Sequence, residues 1–424
     1  MKKALAFLLA LALLGGLAMP SAMGDEQVVL RYSWWGGDAR HEATLTAIAR
    51  YEELNPHVKI EAEYGGDAGY VDKLLTQLAG GTQPHLMQVR ATSPAEYFST
   101  FPDTFVTLGD QDIFDLSGFD QGFLDSFCKS FDGVIVAVPT GVSSYNFVAN
   151  KTVFENAGIA LPESMTWEEC LELGKALHAA NPDYYLLSPT DDDWNHLLRS
   201  YVRQLTGRWT IEKDWSVIED RDALIKAFTW LQTAYAEGVA EPMASAFVYN
   251  TDKDANRKWL SNEIGFSYRA SSSIALIDTS AGMQLDVVNI PIEPGSERTG
   301  VITQPAQCFM ISQNAETEEA LKFANWLFND PEAGRILKDV RGMPPVGPVR
   351  ELLAAEGLLD PVVSKAVGIA LAVTDGPVFS GNENTEVYGF LFPLMQELCY
   401  GAITPEAAAD RILNELPEIV EGIR

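Results

Sequence analysis

Four changes of periodicity between Val28 and Val89 constrain this chain more than any other feature. Val28, Leu30, Tyr32 and Trp34 alternate as a strand does, and Leu45, Ile48, Tyr51 and Leu54 then recur along one side of a helix that Pro56 stops. Val58, Ile60, Ala62 and Tyr64 alternate again. Val71, Leu74, Leu75, Leu78 and Ala79 return to helical spacing, Gly80-Gly81 ends that helix, and Leu86 to Val89 makes a third short strand. A βαβαβ run closes into a parallel sheet with helices on its faces. Ligands of such sheets sit beyond the carboxyl ends of the strands, so the loops at 34–41, 64–70 and 88–93 are expected to converge on one.

The N-terminus suggests where that ligand is met. Lys2-Lys3, an apolar run from Ala4 to Ala18, Pro20 and small residues read as a secretory signal ending after Gly24. The run is too short for a comfortable membrane span. No cysteine lies near the cleavage point to accept a lipid, so the expected mature chain is periplasmic, not membrane-embedded and, by default, a monomer. Roughly 400 residues then remain, more than one core usually holds, and two lobes are expected. Loss of Lys2 and Lys3 takes the formal charge from −29 to −31. So acidic a surface argues against nucleic acid or anionic membrane as a partner.

The usual enzyme signatures are absent. Cys128, Cys170, Cys308 and Cys399 are scattered without a CxxC or Cys/His spacing, and the 5 histidines are as dispersed, leaving no zinc constellation and no expected metal or cofactor. His41-Glu42 opens like a zincin helix, but Leu45 stands where the second histidine belongs. A phosphate loop at Gly174-Lys175 fails because Glu169 replaces its first glycine. Asp191-Asp192-Asp193 reads as a solvated loop in a chain with 59 acidic residues, so no catalytic carboxylate pair is assigned.

Several ordered segments carry a resemblance. Ser33-Trp34-Trp35-Gly36-Gly37-Asp38-Ala39-Arg40-His41, Tyr51-Glu52-Glu53-Leu54-Asn55-Pro56 and Leu78-Ala79-Gly80-Gly81-Thr82-Gln83-Pro84 come first. Val138-Pro139-Thr140-Gly141, Asn150-Lys151-Thr152-Val153-Phe154, Thr166-Trp167-Glu168-Glu169, Ala324-Asn325-Trp326-Leu327-Phe328-Asn329-Asp330-Pro331, Arg341-Gly342-Met343-Pro344 and Tyr400-Gly401-Ala402-Ile403-Thr404-Pro405 follow. Together they resemble the extracellular solute-binding proteins of ABC-type carbohydrate importers. The Trp-Trp-Gly-Gly start is most similar to the branch that takes up oligogalacturonides. Two departures stand out: His85 where relatives carry aspartate, and Arg90-Ala91-Thr92 in place of a segment usually rich in Trp and Asn.

The resemblance implies an α/β, two-lobed Venus-flytrap fold, each lobe a mainly parallel sheet flanked by helices. Crossing strands are implied near 141–142, 302–307 and 341–346. Lobe 1 would comprise 25–141 and 306–342, and lobe 2 would comprise 142–305 and 343–424. The implied partners are an oligosaccharide and the transmembrane subunits of a permease with their ATPase.

The chemistry of such a cleft follows from its ligand. A pyranose packs its C–H face on an aromatic ring while its hydroxyls need fixed donors and acceptors. Trp35 is the expected platform, with Trp34 alternating toward the core. Gly36 and Gly37 would let backbone amides approach, beside Asp38. Arg40 and His41 open the first helix, where basic residues do nothing for the dipole. With Arg90, Arg269 and Arg341 they fall on cleft loops, and a guanidinium holds a uronate carboxylate bidentately. Pairing with one of the many acids is the competing reading for each arginine. Ser143, Ser144 and Tyr145 are expected at the rim, Asp192 and Trp194 on a loop before the helix of Arg199 and Arg203, and Tyr268 after a strand. Asn382 and Asn384 would also reach the cleft, whereas Trp209, Trp215, Trp230, Trp259 and Trp326 read as core. Two rivals remain: a secreted polysaccharide hydrolase or lyase, and a binder of a neutral sugar.

Overall fold

The computed structural model describes residues 27–66, 68–375 and 378–424, so the expected signal segment at 1–24 lies outside the described residues. Ten strands are described: β1 (Val28–Trp35), β2 (Val58–Gly65), β3 (Leu86–Val89), β4 (Val138–Pro139), β5 (Val142–Asn150), β6 (Tyr185–Leu187), β7 (Ile264–Ala270), β8 (Leu285–Val288), β9 (Thr303–Pro305) and β10 (Cys308–Ile311). They form two sheets, in the order β2-β1-β3-β10-β4 and β6-β7-β5-β8, with β9 added to β5. The helices that carry the argument are α1 (Asp38–Leu54), α2 (Tyr70–Ala79), α3 (Gln121–Phe127), α4 (Asp191–Thr206), α5 (Pro361–Leu371) and α6 (Thr385–Cys399).

The expected βαβαβ unit is present. β1 pairs in parallel with both β2 and β3, and α1 and α2 are the crossovers. The buried side of α1 is formed by Thr44, Ala47, Ile48 and Tyr51. Of the expected stripe, Leu45 is 36% exposed and Leu54 46%, as is Leu75 of α2 at 36%. A helix packed on a sheet buries only the positions that face it, and small residues on those positions let α1 lie close.

The second sheet departs from a plain parallel pattern. β6 and β7 pair in parallel, but β5 enters directly from the crossing and runs against β7, β8 and β9. It is buried along its length, with only Tyr145 less than fully enclosed.

Three segments meet where the chain passes between the sheets. Val142 pairs with Pro305 of β9 and also bridges to Met343, and Ala306 donates its N–H to the Gly141 carbonyl at 2.8 Å. Any Cβ at Gly141 would lie under 3.0 Å from the Arg341 backbone, so only glycine permits this approach.

The direction of the crossings locates the cleft. β4 ends just before the crossing and β10 begins just after it, with Cys308 opposite Val89, the last residue of β3. The crossings therefore leave the first sheet at the carboxyl ends of β1 to β3. They enter the second at the start of β5, where Tyr145 lies opposite Ala270, the last residue of β7. Carboxyl edges of both sheets thus flank the hinge, the place where open α/β sheets bind ligands.

Candidate functional site

On the first sheet, the end of β1 supplies two indoles with different fates. Alternation turns Trp34 inward, fully buried, where it stacks on Tyr64 at 5.0 Å and donates from Nε1 to His41 Nδ1 at 3.1 Å. Trp35 is half-buried and backed by the Tyr70 ring at 4.8 Å. Its position is fixed from below, because Tyr70 Oη donates to the Ser33 and Gln88 carbonyls while Gln88 Nε2 donates to the Trp35 carbonyl at 3.2 Å. A ring held this way costs little further entropy when a ligand stacks on it. Tyr64, 49% exposed, lies with Trp34 on the face opposite Trp35, and His41 is pinned to it at 4.7 Å.

The glycines serve another purpose than expected. Neither Gly36 nor Gly37 takes a positive φ. A Cβ on Gly36 would collide with the Arg40 side chain, whereas Gly37 faces open space and caps α1 beside the exposed Asp38. Gly36 is thus a slot for Arg40. That guanidinium turns inward, donating from Nε to the Val340 carbonyl at 3.0 Å and from Nη1 to the Trp35 carbonyl at 3.1 Å. Burial, and then the neighbouring Arg341, lower its pKa to about 10.

Two further arginines expected on cleft loops are internal. Arg341 is 3% exposed, donates to Gln88 Oε1 and Thr44 Oγ1, and lies over the Tyr32 ring. Arg269 is 2% exposed, pairs with Asp254 at 2.7 Å, donates to Ser267 and covers Trp259. Arg269 alternates with Tyr268 along β7 and so faces away from Tyr145, while Arg341 points inward from a turn of the third crossing segment. Only Arg90, just past β3, is exposed as the expectation requires.

On the second sheet the expected residues divide in the same way. Tyr145 is half-buried, edge-on to His196 at 4.9 Å and 5.6 Å from Tyr268, which itself is buried. Ser143 and Ser144 are not rim contacts: both are buried, Ser143 against Ser271 and Ser272, Ser144 against Asn146 and the Ala366 carbonyl. Trp194 belongs to the core, packed on Trp230 with Nε1 donating to Tyr235 at 2.7 Å. Asn382 is buried on Ile211, and Asn384 caps α6. Trp209, Trp230 and Trp259 are buried as expected, and Trp215 and Trp326 pack half-buried against the core.

Asp192 and Trp194 stand on a helix and not on a loop before it. Thr190 and Asp193 form a reciprocal capping box that starts α4 at Asp191, a signal present in the sequence as Thr-x-x-Asp. With the start fixed, Asp192, His196, Arg199 and Arg203 fall on one stripe of α4. His196 Nε2 lies 3.9 Å from both Asp192 Oδ1 and Glu383 Oε1. Arg199 is 2% exposed and donates from Nη1 to the Asn382 carbonyl at 3.2 Å, but its Nε and Nη2, like His196 Nδ1, have no partner among the described residues. Burial holds His196 well below its ordinary range, aided by Arg199, and raises Glu383 despite Arg199. His196, Arg199, Glu383 and Tyr388 escaped sequence reasoning because their proximity joins α4 to α6 and the segment before it.

Size alone does not select this region. A cavity of about 250 Å³ lined by Asp120, Phe123, Ser126, Thr303, Leu371 and Thr374 lies behind the hinge. Thr303 pairs with Ser144, which faces α5, so that cavity opens on the sheet face opposite Tyr145.

Comparison with known proteins bears on the family and the fold. The family model described as bacterial extracellular solute-binding protein matches residues 46–361. A periplasmic solute-binding protein from Pectobacterium atrosepticum is 28% identical, with 93% of this chain and 99% of that one covered and a TM-score of 0.83. A periplasmic oligogalacturonide-binding protein from Yersinia enterocolitica, solved with saturated digalacturonic acid, is 25% identical over 93% and 99%, with a TM-score of 0.78. A de novo designed cysteine esterase matches at 24% identity over 94% and 99% with a TM-score of 0.80, a likeness that bears on the fold alone.

Proposed function

Because the chain belongs to the bacterial extracellular solute-binding proteins, we propose that it captures an oligosaccharide in the periplasm between Trp35 and Tyr145 and presents it, unaltered, to a membrane permease. The observation that carries this reading is the pair of backed aromatic rings, Trp35 on Tyr70 and Tyr145 on His196 and Tyr268, at the two carboxyl edges that flank one hinge. Ligand contacting both sheets favours the closed state by its differential affinity, and no bond need be made or broken. The division of the chain into 25–141 with 306–342 and 142–305 with 343–424 is the one this reading uses. The permease subunits and their ATPase are proposed as partners on the strength of the family.

The sugar we infer is a uronate. Arg90 is exposed just past β3, and Arg199 keeps two guanidinium nitrogens without a partner among the described residues, one turn from His196. A Yersinia relative solved with digalacturonic acid supports the same class. The burial of Arg40, Arg269 and Arg341 favours a second reading, a neutral oligosaccharide, because it withdraws three cations from the cleft. Titration calorimetry with digalacturonate and with neutral disaccharides separates them. Under the uronate reading digalacturonate binds and Arg199→Lys weakens it at least tenfold, since a lysine cannot reproduce a bidentate clamp. Binding of neutral sugars alone sinks it.

A further inference from the structure

Of the four cysteines, two are brought together by the fold. Cys128 ends α3, and its carbonyl accepts from the Val136 and Ala137 N–H groups at 2.8 and 3.2 Å. Two residues on, Pro139 of β4 lies opposite Cys308 of β10. Both side chains are 0% exposed in the same core, where Cys308 neighbours Cys128 closely enough to help raise its thiol pKa, and Cys308 Sγ also lies 4.0 Å from the Ala91 carbonyl. Cys170 and Cys399 sit in the other core, Cys399 beside the Tyr235 hydroxyl, so neither competes for these partners.

We propose that in the exported protein Cys128 and Cys308, which stand here as free thiols, are joined by a disulfide. The step is an exchange: each thiol loses its proton, one Cys128–Cys308 S–S bond forms, and a disulfide oxidant of the compartment is reduced to its dithiol. The bond would tie the part of the first lobe that precedes the crossing to the part that follows it, around the whole stretch that builds the second sheet. The two cysteines are 180 residues apart. Cross-links over long loops restrict the unfolded chain most. Burial pushes the Cys128 thiol well above its ordinary range, so once folded it offers little thiolate to any oxidant. The exchange therefore belongs to folding, before the core closes.

The test uses the full mature protein recovered from the periplasm of a secreting host. It is denatured and alkylated with iodoacetamide with and without reductant, and measured by intact mass and peptide mapping. Two alkylated cysteines without reductant, four with it, and a linked pair of peptides carrying Cys128 and Cys308 are expected. Dithiothreitol should then lower Tm by several degrees. Four alkylated cysteines without reductant, both as exported and after refolding with oxidised glutathione, overturn the proposal. So does a linked pair that includes Cys170 or Cys399.

Discussion

Arg341 and Thr44 are 297 residues apart and joined by a 2.6 Å hydrogen bond from Nη2 to Oγ1, which ties the third crossing segment to the first helix beneath the cleft. A residue expected to hold ligand instead holds the hinge to the sheet. Replacing Arg341 with alanine would leave Thr44 and Gln88 short of donors in a buried site, at about 1–3 kcal/mol for each. We expect urea denaturation to show a loss of about 2–4 kcal/mol, with the Kd of the folded variant changed by less than about threefold, under 1 kcal/mol. A large loss of affinity without a loss of stability would return Arg341 to the cleft.

Trp35→Ala should do the opposite. The ring is half-buried and packs mainly on Tyr70, so its removal costs little fold stability. A stacking platform is worth about 1.5–3 kcal/mol to a bound ring, from its area and orientation together. Calorimetry should show affinity falling roughly 10- to 100-fold, the corresponding range at 1.4 kcal/mol per decade. Unchanged affinity would remove Trp35 from the site.

His196 makes stability depend on pH. Its folded pKa lies well below the ordinary 6.5, with burial the main cause and Arg199 the next. The unfolded chain therefore binds a proton first as pH falls, and stability is full above 6.5 and declines below it toward the folded pKa. The slope from this one group reaches at most about 1.4 kcal/mol per pH unit. Tm measured between pH 8 and 5 should fall in the wild type and fall less steeply in His196→Gln. Glu383 acts in the opposite sense, because its raised pKa makes the folded state hold its proton longer, so its contribution is greatest at low pH and is lost as pH rises through the folded value. Parallel profiles for wild type and variant would contradict the assignment to His196.

Gly141→Ala tests the crossing itself. Because the new methyl would meet the Arg341 backbone at under 3.0 Å, the strands must move apart. A loss of about 2 kcal/mol or more is expected, together with a change in the small-angle scattering of the ligand-free protein. A variant of wild-type stability would show that the crossing has slack.

The first sheet was largely legible. Period-two and period-3.6 runs from Val28 to Val89 identify three of its five strands, β1 to β3, and their crossovers, and the carboxyl-end rule points to Trp35. Trp34 is correctly turned inward by alternation alone. The second sheet was less so, since β5 takes its pairings from three segments far away in the chain, 264–270, 285–288 and 303–305. The start of α4 was within reach, for Thr190 and Asp193 spell a capping box that an acidic run obscured.

What the sequence determined by itself was periodicity, and through it the α/β class and the edge where a ligand belongs; the two lobes followed from chain length and from the resemblance that its ordered segments carry. Tertiary structure alone decided which polar side chains face that edge. Arg40, Arg269 and Arg341 all sit near it in the chain, yet each turns inward. A guanidinium can satisfy its donors on buried carbonyls, hydroxyls or a carboxylate as well as on a ligand, and only packing decides which acceptor is within reach. Arg199 shows the converse: helical spacing put it in a stripe with Asp192 and His196, but the Asn382–Glu383 segment that leaves two of its nitrogens unpartnered among the described residues comes from more than 180 residues on.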